Sequence, residues 1–434
     1  MEYDTLIALI RQEVKPALGC TEPIAVALAA ARAAETLRSC GASPELVEVK
    51  VSPNILKNGM GVGIPGTGMV GLPVAASLGC VCGKSKYGLE VLHDLCPDAV
   101  EAARRMTEEG KVKVSLAETS ELLYVLASAS GGGHSAEAEI KGCHDAIVRV
   151  ELDGKSMLEA EKCGCGGNKA EDSSALDPNL ARYITVRDIY DFACNVPLEK
   201  IEFMMESVQM NSRLSDEGLT HPYGLQVGRT LIEKGNSPVY GDTLLTYAMA
   251  RTAAASDARM AGCTLSAMSN SGSGNQGITV TMPVIAIAEK TGASHEHLVR
   301  ALALAHFVAI HIKGYLGRLS ALCGCVIAST GASCGIAFLR GGGYGEICAS
   351  IKNMIGNITG MVCDGAKVGC ALKVASGVAS ALQSAVLALD GKCISSNDGI
   401  IEEDIEKTIA NLGQIGSIGM RSTDKMILDI MTCK

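Results

Sequence analysis

KVKVSLAE at residues 111–118, LLYVLASASG at 122–131, SAEAEIKG at 135–142 and DAIVRVELDG at 145–154 decide the fold class. Apolar and polar residues alternate within them at a period of two, and turn-forming residues separate them. Four strands joined by hairpin-like turns are therefore expected, forming a small antiparallel sheet. Upstream, VEVKV at 47–51 alternates in the same way and predicts another strand, followed by the loop SPNILKNGMGVGIPGTGMVG and an alanine-rich helix. Residues 3–38 carry a helical pattern interrupted at PALGCTEP. Pro23 is placed to begin the second helix, which sets Cys20 at or just before a helix N-terminus.

Downstream, EAEKCGCGGNKAEDSSALDPN at 159–179 reads as a loop and marks a soft boundary; its Cys163 and Cys165 lack a nearby partner pair and read as adventitious thiols. From ITVRDIYDFACNV at 184–196 onward nearly everything reads as helix. Long Ala/Leu/Val/Ile/Met segments are broken at SNSGSGNQG, KGYLGRL, LRGGGYGE, ITGMVCDGAKVG and LDGKC. The expected class is α+β and mainly helical. An N-terminal lobe (1–185) holds the small antiparallel sheet, and an all-helical C-terminal lobe (186–434) carries cysteines at its helix breaks. No fixed-period repeat is evident.

Composition narrows the function classes. With 47% hydrophobic and 20% charged residues over 434 positions, the chain can bury a large core. A net charge of −9 without a basic block argues against a nucleic-acid partner, and 3% aromatic residues without Trp leave few stacking platforms. LVRALALAHFVAIHIKGYLG at 298–317 approaches a membrane span in length, but Arg300, His306, His311 and Lys313 interrupt it, so a buried helix and no membrane association are expected. The apolar helices make a homodimer plausible. No cleavable apolar signal precedes MEYDTLIALIRQEVKPALGC, and a cytoplasmic location is expected, where 18 cysteines point to metal or redox chemistry rather than disulfides.

Four of those cysteines stand in the least charged, most glycine-rich part of the chain: Cys323 and Cys325 in LCGCV, and Cys363 and Cys370 in MVCDGAKVGC. Three such thiols would hold a four-iron, four-sulfur cluster and leave one iron open. The Cys-x6-Cys spacing is neither a ferredoxin run nor a zinc ribbon, and packed hydrophobic thiols are the competing reading. At a helix N-terminus the Cys20 thiolate would be stabilised by the dipole and could act as a general base, with Thr21 and Glu22 as capping residues; the competing reading is again a packed thiol. The loop with Ser271, Ser273, Asn275 and Gln276 offers donors ahead of a buried helix, as a carboxylate-binding turn requires. Ser52, Asn54, Lys57 and Asn58 could form the opposite wall. His144 and His311 are weaker site candidates, and Asp364 is either a support for Cys363 or a turn residue.

ALGCTEP (17–23), SPNILKNGMGVGIPGTG (52–68), SGSGNQGI (271–278), LSALCGC (319–325) and GNITGMVCDGAKVGCALK (356–373) together resemble one family over almost the whole chain. It is the L-cysteine desulfidase family, or UPF0597 group, related to the alpha domain of iron-sulfur L-serine dehydratases. The resemblance implies that Cys20 is the proton acceptor and that Cys363, Cys370 and one cysteine of LCGC hold a single four-iron, four-sulfur cluster with an open iron. Cys323 is favoured as that third ligand and Cys325 competes. It implies α,β-elimination on a small L-amino acid, with the open iron as Lewis acid, Cys20 taking the α-proton, and an aminoacrylate decaying to pyruvate and ammonia. L-Cysteine would release hydrogen sulfide, and L-serine water. The dehydratase relatives carry a further domain with no counterpart in this sequence.

Two other readings compete with this one. A pyridoxal-phosphate lyase would need a Schiff-base lysine, for which Lys367 and Lys373 stand near glycines, but the resemblance implies no pyridoxal phosphate. A non-enzymatic iron-sulfur redox sensor would leave Cys20 as a packing residue.

Overall fold

The structure, a computed structural model, describes residues 2–157, 177, 179–233, 239–317 and 320–433. Cys163 and Cys165 lie outside them. The first half contains α1 (Tyr3–Glu13), β1 (Pro16–Ala17), α2 (Thr21–Ser39), β2 (Leu46–Val51), α3 (Pro53–Gly59), α4 (Leu72–Cys82) and α5 (Pro97–Glu108). Strands β3 (Val112–Leu116), β4 (Tyr124–Gly131), β5 (His134–Lys141), β6 (Ile147–Leu152) and β7 (Lys155–Ser156) follow.

Alternation places Val47, Val49 and Val51 of β2 and Val125, Ala127 and Ala129 of β4 on one buried face, against alanine-rich α2. The other face carries charge, with Arg149 paired to Glu137, Glu139 and Glu151. The sheet order is β3-β2-β4-β5-β6-β7. One expectation is corrected here: β2 and β3 are parallel, so the sheet is mixed rather than antiparallel. The reason is the connection, since α3, α4 and α5 intervene between these strands and a crossover of that length returns the chain in the same direction.

Helices α2 and α4 cross closely beneath the sheet. A Cβ on Gly79 of α4 would stand 2.1 Å from the Ala27 carbonyl oxygen and 2.8 Å from its Cα, so backbone rather than a flexible side chain would have to move. Gly79→Ala is expected to destabilise the fold by about 1–3 kcal/mol through overpacking, read as a lowered melting temperature.

The second half is helical: α6 (Leu180–Tyr183), α7 (Val186–Asn195), α8 (Leu198–Ile201), α9 (Met205–Thr220), α10 (Val227–Glu233) and α11 (Leu244–Met260). After β8 (Ala267–Met268) come α12 (Gly274–Thr291), α13 (His295–Leu316), α14 (Gly324–Leu339) and α15 (Tyr344–Ile358). Last are α16 (Cys370–Leu389), α17 (Ile405–Gln414) and α18 (Arg421–Thr432). α14 lies at the centre, apolar on every side, packed by α12, α13, α15 and α16. α13 and α16 are long and apolar enough to cross a membrane, yet 72% and 50% of their apolar windows are buried inside the fold.

The lobes interpenetrate. Leu6, Leu9 and Ile10 of α1 belong to the core of the helical half, and β1 pairs antiparallel with β8. That small pair is the one departure from an all-helical second half among the described residues. It ties the segment leading to Cys20 to the loop around Ser271, whose amide donates to the Glu13 carbonyl at 2.9 Å.

Candidate active site

Where the two cores meet, a cavity of about 130 Å³ opens. That is several times the roughly 10–15 Å³ one water needs, so a small organic molecule fits. Cys20, Thr21, Glu22 and Asn58 of the first half form one wall. Arg259, Ser273, Asn275, Gln276 and Thr279 form another, and Cys323, Cys325, Cys363, Cys370 and Lys373 complete the lining.

The thiol segments are positioned by backbone. Cys323 is the N-cap of α14, and its amide donates to the Met361 carbonyl at 3.0 Å. The Cys363 amide donates to the Ala321 carbonyl at 2.7 Å, so the two loops run as one short antiparallel bridge. Cys370 opens α16. Gly365 lies between them at φ +92°, and a Cβ there would stand 2.2 Å from the Lys57 carbonyl oxygen; both conformation and approach demand glycine.

The four cysteines are not equivalent. The neighbouring Cys323 thiol holds the Cys363 thiol below its ordinary range against the effect of burial, with Lys57 and Lys373 contributing. Cys325 instead donates to the Lys373 carbonyl at 3.1 Å, and burial pushes its thiol up to about 12. Among the described residues no three His, Cys, Asp or Glu side chains converge as they would on a single metal ion.

On the facing wall, Cys20 is the N-cap of α2, and its thiol donates to Glu22 Oε2 at 2.8 Å. Here the structure corrects a sequence expectation. The helix dipole does not leave Cys20 as a ready thiolate: burial pushes its thiol well above the ordinary range and Glu22 adds to this, while Arg259 acts in the opposite direction. Glu22 is more than a capping residue. Burial works to raise its pKa, but His144, Cys20 and Asn58 together hold the carboxyl below its usual range, so it is ionised. Thus His144, a weaker site candidate in the sequence, acts electrostatically on the cavity through Glu22.

Arg259 was missed by sequence reasoning. It lies at the end of alanine-rich α11 and is 4% exposed. Its guanidinium donates to the Gly19 carbonyl at 2.6 Å and to Asn275 Oδ1 at 3.2 Å, and no carboxylate pairs with it among the described residues. A buried arginine without an ion pair is the signal, and only the fold reveals it.

Of the other expected residues, Ser273 caps α12, its side chain accepting from the Gln276 amide, and Asn275 and Gln276 face the cavity. Ser271 does not line it; its hydroxyl donates to Asn270 Oδ1 at 2.9 Å. Ser52 and Asn54 also stand outside the lining. Ser52 is a joint in the first lobe, donating to the Leu122 carbonyl and accepting from the Tyr124 amide. Lys57 pairs with Asp424 of α18, and Asp364 pairs with Lys367 and Lys373. His311 is structural: its ring nitrogens meet the Ala181 carbonyl at 2.9 Å and Glu406 Oε2 at 2.8 Å.

Residues 86–429 match the serine dehydratase alpha chain family, and the protein belongs to that family. It is 48% identical to a UPF0597 protein of Bacteroides fragilis over 434 residues, covering 100% of this chain and 99% of the relative. A UPF0597 protein of Oleidesulfovibrio alaskensis is 49% identical over 433 residues, again covering 100% and 99%. A third, from Chromobacterium violaceum, is 45% identical over 432 residues, covering 100% and 98%. These findings bear out the resemblance read from the motifs.

Proposed function

We propose that the protein is a lyase that eliminates the β-substituent of a small L-amino acid, L-cysteine in the first instance, to give pyruvate, ammonia and hydrogen sulfide. The observation that carries this reading is the cavity itself, which sets a thiol–carboxylate pair, Cys20 and Glu22, in the same enclosure as three candidate ligand thiols. The donor set suits a four-iron, four-sulfur cluster better than a single ion. Cys323, Cys363 and Cys370 share one cavity without converging on a point, the Cys363 thiolate is favoured, and Lys57 and Lys373 oppose the negative charge of such a group. When bound, the cluster would supply a Lewis acid for the substrate's carboxylate or leaving group.

The chain's own residues account for binding and proton movement. Arg259 and the N-terminus of α12 form a positive wall that receives the carboxylate. Burial and Glu22 both favour the protonated Cys20 thiol, and Arg259 favours the thiolate, so the thiol gives up its proton only in the substrate-bound site, with the hydrogen-bonded Glu22 as the group that receives it. That thiolate takes the proton from Cα, the electron pair forms the Cα–Cβ double bond, and the β-substituent leaves as hydrogen sulfide or water, taking up the proton held by Glu22. The aminoacrylate tautomerises to the imine by moving a proton from nitrogen to Cβ, and water hydrolyses the imine to pyruvate and ammonia.

Glu22→Gln removes the proton acceptor but keeps the shape. It is expected to lower kcat by about 10²-fold or more with unchanged iron content and melting temperature; full activity would place the acceptor elsewhere. The reaction itself is tested by assaying sulfide and pyruvate from L-cysteine and L-serine in parallel. Equal amounts of sulfide and pyruvate from cysteine support the desulfidase reading. Pyruvate from serine alone makes the protein an L-serine dehydratase, and neither product from cluster-loaded protein contradicts the lyase reading.

A further inference from the structure

Behind the cavity wall runs a hydrogen-bonded chain whose polarity is fixed at one end. Asn270 is fully buried, and its side chain meets the His306 backbone carbonyl at 3.2 Å. A carbonyl only accepts, so the Asn270 atom there is the amide nitrogen, and Oδ1 faces the other way. That oxygen lies 2.8 Å from the Gln276 side-chain amide, whose facing atom must therefore be the donor, Nε2. His306 completes the chain: burial pushes it down to about 3, and as a neutral ring it accepts from Asn270 at Nδ1 and donates from Nε2 to Thr281, which donates to the Gly277 carbonyl.

The consequence falls on the free end of Gln276. Its Oε1 stands beside Gly324, 3.2 Å from where a Cβ would be, in the cavity wall between Cys323 and Cys325. No protein donor reaches that oxygen among the described residues, although the residue is 2% exposed. Asn58 repeats the pattern across the cavity. Its Nδ2 donates to Glu22 Oε1 at 3.0 Å, and a carboxylate likewise only accepts, so Asn58 Oδ1 is the orphan, buried and without a partner.

The geometry points to a primary-ammonium subsite in which Gln276 Oε1 and Asn58 Oδ1, two amide carbonyls locked by acceptor-only neighbours, receive the α-ammonium of the substrate. This reassigns Gln276 from the carboxylate-binding role expected of its loop and deepens the amino-acid reading above, on which it rests. An ammonium offers three donors and no acceptor, which is what two unpaired carbonyls and the ionised Glu22 require. Arg259 is the complementary donor for the carboxylate, so the two groups on Cα are told apart by opposite hydrogen-bond polarity.

The test uses two non-reacting ligands that differ in the ammonium alone, L-alanine and propanoate, titrated calorimetrically into the anaerobic, cluster-loaded protein. In Gln276→Met and separately in Asn58→Leu, L-alanine affinity is expected to fall by roughly 10-fold or more, the scale of one lost hydrogen bond to a charged group. Propanoate affinity is expected to stay within about twofold. Parallel losses for both ligands, or undiminished L-alanine binding, would overturn the subsite. Wild-type protein that binds neither ligand would overturn the amino-acid reading and the subsite with it. Two variants at separate positions guard against one failing to fold.

Discussion

Cys20→Ala is expected to reduce turnover by about 10²–10⁴-fold, the range associated with a positioned general base. Cluster content and melting temperature are expected to be preserved. The substitution removes one sulfur from a small packed group formed with Val62 and Met260. It also leaves Glu22 with its Asn58 and Thr21 hydrogen bonds. A structural thiol would show the reverse pattern, lowered stability with retained chemistry. Measuring kcat beside thermal melting and iron per chain separates the two, and near-normal turnover would exclude Cys20 as the base.

The second large effect is a contrast between neighbours. Cys323→Ala is expected to abolish cluster retention, whereas Cys325→Ala is expected to keep most of it. Cys323 interacts with Cys363 inside the cavity, whereas Cys325 is committed to the Lys373 carbonyl and pressed against Gly377 of the helix packing. Removing a packed sulfur costs stability; removing a ligand costs the metal group. Iron and acid-labile sulfide per chain after anaerobic reconstitution read the difference, and loss on Cys325→Ala with retention on Cys323→Ala would reverse the assignment.

The helices were legible because their apolar runs are long and their breaks are rich in glycine. The strands were legible because one face of the sheet is buried and the other is charged, which enforces alternation. The direction of β3 was not, because it depends on where the chain returns after α3, α4 and α5, and periodicity carries no such information. The placement of α1 was hidden for the same reason: periodicity marks its apolar face but not which core that face joins, and Leu6, Leu9 and Ile10 enter the helical one beside the β1–β8 pair.

In the site, Cys20, Ser273, Asn275, Gln276 and the clustered cysteines stand out as chemical residue types in glycine-rich context, and the fold brings them to one cavity. Ser52 and Asn54 were drawn in by proximity to Lys57 and Asn58, but the segment read as a loop begins with helix α3, and of these four residues Asn58 alone lines the cavity. Arg259 was invisible within an alanine-rich helix, because an arginine near a helix C-terminus is ordinarily a surface residue favoured by the dipole. Glu22 looked like a first-turn acid and is one, but burial beside Cys20 makes it the thiol's acceptor.

The central claim, that the elimination depends on a cluster held in this thiol-lined cavity, is tested most directly by measuring pyruvate formation from L-cysteine against iron content in anaerobic protein, from metal-free to fully reconstituted. The account predicts a rate that rises in proportion to loaded cluster and vanishes in the metal-free protein. Undiminished pyruvate formation without iron would contradict it.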